Sequence, residues 1–402
     1  MIERMTKPHR LSRLVSVSAI TSAALFLSSC GYVRDSENHP LTTLDPKGPQ
    51  AQMIDDLSTP VFAVAGVVFV LIQALMIYLI VRYRRRPDDV DGVDEPTQIH
   101  GMDRLEWAWT ITPAVILAGL AILNVQTIWK MEERNDPNMI TVEIIGQQWW
   151  WEYRYDFDAD GSVDVITANQ MVIPEDTLVD LHIRSNDVIH SFWIPALNGK
   201  RDAVPGRTNR WLLQADDPGL YEGTCTEFCG LSHAYMRMEV KALDSADWEQ
   251  WKSDQLEPAN IPADPTPDDD SDDDAVLTGY KTFIANCASC HQLNGVDAGG
   301  EETDGTPDAD YRGEDHPLTA GNAPNLTHLM SRNRYAGNLF SLWTTDSDGN
   351  YTDQVDTSTL GDWLRDPGAL KPMAADANRG MPNLQLSEDQ ISSLVAFLST
   401  LK

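Results

Sequence analysis

The chain has 402 residues, a length that allows two or three domains. It carries 61 Asp and Glu residues against 30 Lys and Arg, which gives a formal net charge of −31. Such a surface repels nucleic acid and anionic lipid headgroups and attracts basic proteins, so we expect no nucleic-acid partner. Acidity that serves only solubility or adaptation to salt is the alternative. The five cysteines each lie in a recognisable motif, which excludes a scaffold held by disulfide bonds.

A lipoprotein-type signal peptide is predicted over residues 1–29. Basic residues precede an apolar run at 14–27, which ends in Leu-Ser-Ser-Cys. This ending resembles a bacterial lipobox, in which the cysteine, here Cys30, is lipidated and becomes the mature N-terminus. An ordinary signal peptide with an incidental cysteine is the alternative. Residues 30–55 are then an external N-terminal segment.

Two apolar runs predict a transmembrane α-hairpin over residues 56–132. Residues 61–81 carry no charge, a second run covers 107–129, and both are long enough to cross a bilayer as helices. Arginines cluster directly after the first run, so positive-inside bias puts the connection in the cytoplasm and all later residues outside. We therefore expect a bacterial cell (inner) membrane protein with its later domains on the external, periplasmic face. A buried helical hairpin in a soluble protein is the alternative.

Residues 139–245 have the pattern of an all-β domain. Apolar and polar side chains alternate over residues 178–184, which predicts a half-buried strand. Further strands are predicted at residues 139–145, 210–214 and 236–242. About a hundred residues of short strands predict a sandwich or Greek-key barrel. His182 alternates onto the polar face and is expected at the surface, not as a ligand.

Four soft metal donors lie close together in the sequence: Cys225, Cys229, His233 and Met236. His190, further upstream, would complete the set. Thiolates and thioethers select copper(I), zinc or iron–sulfur clusters, and imidazole suits copper and zinc. A disulfide between Cys225 and Cys229 is the alternative, but it explains neither His233 nor Met236.

Residues 253–274 are rich in proline and aspartate and predict an extended linker between two modules, because like charges repel and prolines stiffen the chain. Apolar residues then recur at helical spacing up to Cys287, which begins the sequence Cys-Ala-Ser-Cys-His. This pattern is typical of c-type haem attachment, with thioether bonds to Cys287 and Cys290 and His291 as axial ligand. By pattern alone, a zinc or redox Cys-x-x-Cys is the alternative. Residues 275–402 are predicted to be a cytochrome c domain.

Three methionines compete as the sixth ligand of the haem iron: Met330, Met373 and Met381. Met381 lies shortly before Ser387, which begins a predicted terminal helix with capping-box spacing. A methionine loop before the closing helix is similar to the arrangement in class I cytochromes c, so the resemblance favours Met381. The segment around Pro324 resembles the haem-pocket segment of that family, with Pro324 near the axial histidine. The acidic, Gly-rich run at 297–322 is expected to be a surface loop.

His190 and the donors that follow it closely resemble the dinuclear copper (CuA) site of cytochrome c oxidase subunit II. In that family two cysteines bridge two copper ions, two histidines cap them, and a methionine sulfur and a backbone carbonyl complete the site. The resemblance implies a cupredoxin fold and these ligands: His190, Cys225, Glu227 through its carbonyl, Cys229, His233 and Met236. The predicted fold is therefore multidomain, with a transmembrane α-hairpin, an all-β cupredoxin sandwich and a C-terminal all-α class I cytochrome c domain.

The same resemblance implies roles for three other groups. Trp149 corresponds to the residue through which electrons enter the copper domain, although core packing is the alternative for a tryptophan. Glu106 corresponds to a glutamate at the entrance of a proton pathway into the partner subunit, and a solvated cap is its alternative. The Glu227 carboxylate corresponds to a magnesium ligand at the junction with the catalytic subunit. Gln147 and Trp150 depart from the histidine and tyrosine that the family usually has there.

The order of the modules resembles a subunit II with a fused cytochrome, as in the caa-type oxidases. It implies the electron-input subunit of a respiratory, oxygen-reducing and proton-translocating haem-copper cytochrome c oxidase, which passes electrons from haem c to the dinuclear copper and on to a separate catalytic subunit. The expected partners are oxidase subunits I and III, an upstream cytochrome c or quinol–cytochrome c reductase, and membrane lipid. The alternatives are the electron-input subunit of a copper-containing nitric oxide reductase and a membrane-anchored copper-binding lipoprotein.

Overall fold

The computed structural model describes residues 35, 38–85, 101–134, 136–262, 274–297, 299–307, 323–347, 349–374 and 379–402. The chain divides into two units, one formed by Gln52–Asn135 and the other by Met1–Ala51 with Asp136–Lys402. The predicted signal peptide and the lipidation site Cys30 lie outside the described residues, as do positions 263–273 of the predicted linker.

Two long apolar helices are found where the transmembrane spans were predicted. Helix α1 is Pro49–Tyr83 and helix α2 is Asp103–Met131. Each contains a stretch that is long and apolar enough to cross a bilayer. Large apolar side chains are exposed on both helices, with Phe69 at 64% and Trp129 at 72%. A surface of this kind is stable in lipid or against other chains and not in water.

The cupredoxin domain is built from strands in the continuously described stretch 136–262. Its strands are β1 (Ile140–Gln147), β2 (Trp150–Tyr155), β3 (Val165–Ala168), β4 (Gln170–Pro174), β5 (Val179–Ser185), β6 (His190–Phe192), β7 (Arg201–Ala203), β8 (Asn209–Leu213), β9 (Gly219–Thr224) and β10 (Arg237–Leu243). One sheet has the order β3-β2-β1-β5-β8, the other has β4-β10-β9, and β6 pairs with β7. The four strands predicted from the sequence all occur, each within two residues of its predicted bounds.

The period-2 pattern of β5 explains how this sandwich acquires its core. Val179, Leu181 and Ile183 point to one face and are fully buried. Burying an aliphatic side chain of this size stabilises a fold by about 1.5–3 kcal/mol. His182 points to the other face, is partly exposed, and has its Nε2 3.3 Å from Asp180 Oδ2. It lies outside the group of metal donors, as the alternation predicted.

The cytochrome domain combines helices with two short hairpins. Its helices are α4 (Ala275–Asn286), α5 (Thr357–Arg365), α6 (Pro367–Leu370) and α7 (Glu388–Leu398), and its strands are β11 (Arg334–Tyr335), β12 (Phe340–Ser341), β13 (Trp343–Thr345) and β14 (Tyr351–Val355). The predicted capping box at the start of α7 is present, with Ser387 and Gln390 each bonded to the other's backbone. The hairpins were not predicted from the sequence, because strands this short carry too few residues to show a period.

The linker between the two domains begins later than the sequence predicted. Helix α3 (Ser245–Gln255) includes the first residues of the predicted linker. The chain after it packs on the cytochrome domain: Ala259 is buried, and its amide donates to Asn294 O at 2.9 Å. His328 Nε2 lies 3.0 Å from Glu257 O. Prolines in this stretch therefore belong to a docked segment, because local burial outweighs the composition on which the prediction depended.

Helices α4 and α7 cross at a glycine, and this contact can be tested. A Cβ on Gly279 would lie 2.0 Å from Ser393 O and 2.8 Å from Phe397 Cβ. We expect Gly279→Ala to lower the free energy of unfolding of the cytochrome domain by about 1–3 kcal/mol, because the helices must separate. The measurement is urea unfolding followed by circular dichroism.

Gly361→Ala in α5 is the matched control, since its added Cβ would stand 3.7 Å from Ile391 Cγ2, an ordinary contact distance. We expect this change to be neutral or stabilising by about 0.5–1 kcal/mol. Equal destabilisation by both changes would contradict the close-crossing account.

Candidate metal centre and haem cavity

The loop that follows β9 brings two buried thiols next to His190. Cys225 Sγ lies 3.9 Å from Cys229 Sγ and 4.0 Å from His190 Nδ1. The three side chains are 4%, 2% and 0% exposed. A disulfide has its sulfur atoms about 2.0 Å apart, so the two thiols are not bridged. At this spacing, both sulfur atoms can bind the same metal ion.

The remaining predicted donors extend this group on both sides. Cys229 Sγ is 3.4 Å from His233 Nδ1 and 3.8 Å from Met236 Sδ. Glu227 O lies 3.4 Å from Cys225 Sγ, while the rest of Glu227 is exposed. Two thiols, two imidazoles, a thioether and a carbonyl thus lie within one compact group. Soft sulfur donors with imidazoles fit copper, and the structure offers no carboxylate cage that would fit a hard cation among them.

The two thiols shift each other's pKa in opposite directions. A hydrogen bond from the Cys229 thiol lowers the pKa of Cys225, and this same bond, with burial, raises the pKa of Cys229. Cysteine binds a metal as the thiolate, so a cation that binds both sulfurs displaces protons and binds more tightly at higher pH.

His190 is held in position by groups that the sequence motif did not reveal. Its Nε2 lies 2.7 Å from Asp187 Oδ1, which leaves Nδ1 facing Cys225. The Trp151 ring packs edge-on against the imidazole with centroids 5.8 Å apart. Gly146 admits the ring, since a Cβ there would lie 2.8 Å from His190 Cδ2. Asp187, three residues before the histidine, was the available signal.

Burial and hydrogen bonding shift the pKa values of His190 and Asp187 in opposite directions. Burial alone would lower the pKa of His190, but the hydrogen bond that its Nε2 donates to Asp187, together with the nearby Cys225, outweighs burial and raises the pKa. Burial likewise would raise the pKa of Asp187, yet hydrogen bonds from His190 and the backbone amides of Gln148 and Val188 lower it. The carboxylate therefore stays ionised and fixes the tautomer of the ring.

The turn between β1 and β2 supports the second thiol. Gln148 Nε2 and Trp149 Nε1 both donate to Cys229 O, at 2.6 and 3.0 Å. The amide of Gln148 donates to Asp187 Oδ2 at 2.7 Å. One turn thus fixes the loop of the cysteines and the support of His190 together. Trp149 is 4% exposed and reaches a backbone atom of a predicted copper ligand.

A cavity of about 340 Å³ opens beside the Cys-x-x-Cys-His motif. Cys287, Cys290 and His291 line it together with Pro324. His291 Nδ1 lies 2.8 Å from Pro324 O and donates to it, so Nε2 is free to bind a metal. Burial lowers the pKa of His291, which favours the neutral imidazole that metals require.

A buried arginine in the cavity wall, Arg332, shows whether haem would fit the cavity. Arg332 is 5% exposed, and its terminal nitrogen donates to Asn325 O at 2.6 Å. Its Nε has no hydrogen-bond partner among the described residues, and the side chain lines the cavity. A buried, unmatched cationic donor is costly unless a bound anionic group completes it. The propionates of a haem attached to Cys287 and Cys290 supply such a group, so the residues fit haem c.

Position relative to the cavity distinguishes the three candidate methionines. Met373 and Met381 line it, whereas Met330 does not; Met330 is buried elsewhere, with its amide donating to Leu401 O at 2.7 Å. Met373 Sδ accepts the amide of Met381 at 3.1 Å and packs against Gly380. The sulfur of Met373 is thus already engaged by the protein. Met381 stays the predicted ligand.

Residues of the cupredoxin domain complete the wall of the same cavity. Gln148, Trp149 and Trp150 line it together with the residues of the haem-attachment motif. Trp149 therefore contacts both the loop of the cysteines and the haem cavity. Glu106 is elsewhere, exposed on the first turn of α2, in the other unit of the chain.

Comparisons with known proteins agree with this order of parts. The family model described as cytochrome c oxidase subunit II, transmembrane domain, matches residues 37–127, and the one described as its periplasmic domain matches 158–243. A cytochrome c model matches 276–402. Cytochrome c oxidase subunit 2 of Alkalihalophilus pseudofirmus is 33% identical over 399 residues, 97% of each chain.

Two further proteins illustrate the range of similarity. Cytochrome c oxidase subunit 2 of a Bacillus species, strain PS3, is 28% identical over 395 residues, 94% of this chain and 95% of its own. The solved periplasmic domain of subunit II of cytochrome oxidase from Bradyrhizobium japonicum is 26% identical and covers 31% of this chain and 96% of its own, with a TM-score of 0.28.

Fold and site together define a membrane-anchored cupredoxin with a cytochrome c domain at its C-terminus. The apolar helices, the donor group and the haem motif occur in the order of the matching family models. With a relative that is similar over nearly the full length, this chain belongs to the cytochrome c oxidase subunit II family.

The support of His190 gives a first test of the metal centre. We expect Asp187→Asn to weaken copper binding about 10–100-fold, because the ring loses the charged acceptor that fixes its tautomer. Competition with a copper chelator measures the affinity. Asp217→Asn, at an exposed position, is the control; an equal loss there would contradict the proposed support.

The methionines give a second test. We expect Met381→Ala to remove the low-spin Met/His absorption spectrum while the haem stays covalently attached, because only the axial sulfur is lost. Met330→Ala is the control and should keep that spectrum, since Met330 lies outside the cavity wall. Loss of the spectrum in Met373→Ala, with its retention in Met381→Ala, would show that Met381 is the wrong choice.

Proposed function

We propose that this chain is the electron-input subunit of a haem-copper cytochrome c oxidase. It accepts electrons at a haem c held by Cys287, Cys290 and His291 and passes them through a dinuclear copper centre to a separate oxygen-reducing subunit. The observation that carries the proposal is the position of Trp149: its indole donates to Cys229 O at 3.0 Å, and its ring lines the haem cavity.

Haem c and dinuclear copper supply reversible one-electron chemistry, with no bond made or broken on a substrate. The residues present suit that task. The two thiols and His190 are almost completely buried, and the protein fixes them through Asp187 and the turn of Gln148 and Trp149. A caged donor set changes its geometry little between redox states, which favours electron transfer.

Trp149 connects the two centres through groups of this chain alone. From the cavity wall, the proposed electron path crosses the indole of Trp149 and its hydrogen bond to the carbonyl of Cys229. The sulfur of Cys229 is a predicted copper ligand. Its burial keeps water out of the path and holds the ring in one orientation. This supports electron entry at Trp149 over a role in core packing alone.

The remaining expectations from the family belong to the same proposal. The exposed carboxylate of Glu227, whose carbonyl faces Cys225, is suited to bind magnesium at the junction with the catalytic subunit. Glu106 would take its place at the start of a proton pathway in subunit I. We further propose the external, periplasmic face of a bacterial membrane for the cupredoxin and cytochrome domains, lipid on Cys30, and subunits I and III as partners.

Burial of the donor group separates this proposal from a copper-delivery lipoprotein. A protein that hands copper on needs an exposed and exchangeable site, whereas Cys225, Cys229 and His190 are at most 4% exposed. A nitric oxide reductase with the same electron-input chemistry differs in its catalytic subunit, so the purified complex distinguishes it.

The test uses the complex purified with its native partner. We expect a mixed-valence dinuclear copper signal by electron paramagnetic resonance and oxygen uptake with reduced cytochrome c. Trp149→Phe should slow oxidation of the haem c at least about tenfold, because the hydrogen bond to Cys229 is lost and each ~1.4 kcal/mol of barrier is tenfold in rate.

Trp211→Phe is the matched control, since its indole also donates to a carbonyl, Gly199 O at 3.1 Å, away from the cavity. Absence of the mixed-valence signal would refute the dinuclear copper centre. Reduction of nitric oxide in place of oxygen would refute the oxidase. An unchanged rate in Trp149→Phe would refute the path through Trp149.

A further inference from the structure

A buried lysine joins the cytochrome domain to the copper domain. Lys371 is 4% exposed, and its Nζ donates to Trp149 O at 2.8 Å and to Ala336 O at 3.0 Å. No carboxylate among the described residues forms an ion pair with it. A buried lysine amino group is tolerated only where hydrogen bonds replace its water, and here the replacements are main-chain carbonyls from both domains. The bond to Trp149 holds the residue that lies between the two predicted centres.

Two further contacts from the cytochrome domain reach the loop of the copper ligands. Arg379 Nε donates to Gln148 Oε1 at 2.9 Å, and Gln148 Nε2 donates onward to Cys229 O at 2.6 Å. Ser232, fully buried and next to His233, donates its hydroxyl to Pro372 O. The segment that carries Lys371 therefore contacts the copper domain at the turn after β1 and at the ligand loop.

A glycine permits the close approach of the two domains. Gly337 has φ +79°, and a Cβ there would lie 2.8 Å from both Tyr235 O and Lys371 Nζ. Its carbonyl accepts the amide of Arg237 at 3.0 Å. The main chain at Gly337 thus contacts the main chain of Tyr235 and Arg237, on either side of Met236, at a distance that only glycine allows.

We propose that Lys371 is a positioning residue that fixes the cytochrome domain against Trp149 and the ligand loop, and so closes this face of the copper domain to soluble electron-carrier proteins. The inference rests on the proposed function and deepens it, because it assigns the only route for electrons into the copper centre to the haem of this same chain. Lys371 lines the wall of the haem cavity but is not among the predicted ligands.

The physical basis is that the contact is buried and short-ranged. Soluble carriers dock through exposed charges, so their association slows as salt screens those charges. Hydrogen bonds from a buried amino group to carbonyls are screened little, so the fused cytochrome stays docked at high ionic strength. Methionine at position 371 keeps the length and apolar stem of the side chain but removes all three donors.

The test compares Lys371→Met with Lys281→Met, an exposed position on α4 of the same domain. In the purified full chain with its haem, we expect hydrogen exchange at the Arg237 amide, which crosses the contact, to become at least about tenfold faster in Lys371→Met only. The haem spectrum and the copper resonance signal should stay as in the unchanged protein. Unchanged exchange at Arg237 would overturn the proposal.

Mixing with a reduced soluble cytochrome c provides a second readout. In the unchanged protein the haem c absorption should respond before the copper absorption, whereas in Lys371→Met a fraction of the copper should be reduced before the haem. Direct copper reduction in the unchanged protein would overturn the proposal.

If Lys371→Met does not fold, the unchanged protein still decides the matter. Transfer from haem c to copper should be independent of salt and viscosity in a docked protein, and dependence on both would overturn the proposal. A missing copper signal would instead refute the proposed function. Hydrogen exchange at the Arg237 amide separates the two outcomes, because it measures docking of the cytochrome domain without any redox chemistry.

Discussion

The carbonyl oxygen of Cys229 is the acceptor on which the functional half of this molecule depends. It receives the side-chain amide of Gln148 and the indole of Trp149, and these two bonds attach the loop of Cys225 and Cys229 to the turn between β1 and β2. The same turn donates to Asp187, which fixes His190. The loop, the upstream histidine and the haem cavity therefore share one rigid element, and displacement of that turn would affect all three.

Burial is what makes this arrangement both selective and costly. Thiols, imidazole and a guanidinium are withdrawn from water, and the Nε of that guanidinium, in Arg332, has no hydrogen-bond partner within the part of the chain that the structure describes. At the donor group, the two sulfur atoms lie 3.9 Å apart beside His190. In the haem cavity, Arg332 lines the wall, and its buried Nε has no hydrogen-bond partner among the described residues. Apolar surroundings alone would accept many ligands, whereas soft donors favour a soft metal at one site and a buried guanidinium favours an anionic group at the other.

How far the sequence led can be judged from particular residues. The alternation at 178–184 and the capping box at Ser387 placed a strand and a helix correctly, because both signals are local. The linker was placed too early, since composition does not show that Ala259 finds a buried position on the cytochrome domain. Gly146 and Lys371 were not identified as functional, because each acts on a residue distant in the sequence, whereas Asp187 lies only three residues before His190 and was overlooked.

The sequence by itself determined the class of protein: the order of apolar helices, soft donors and Cys-x-x-Cys-His is set by residue identity and spacing, and these define the chemistry that each segment can perform. Only the tertiary structure decided how the segments cooperate. It brought Trp149 to both the cysteine loop and the haem cavity, and it buried Lys371 between carbonyls of two domains. Such contacts join residues tens to hundreds of positions apart, and they depend on packing and desolvation that no local pattern encodes.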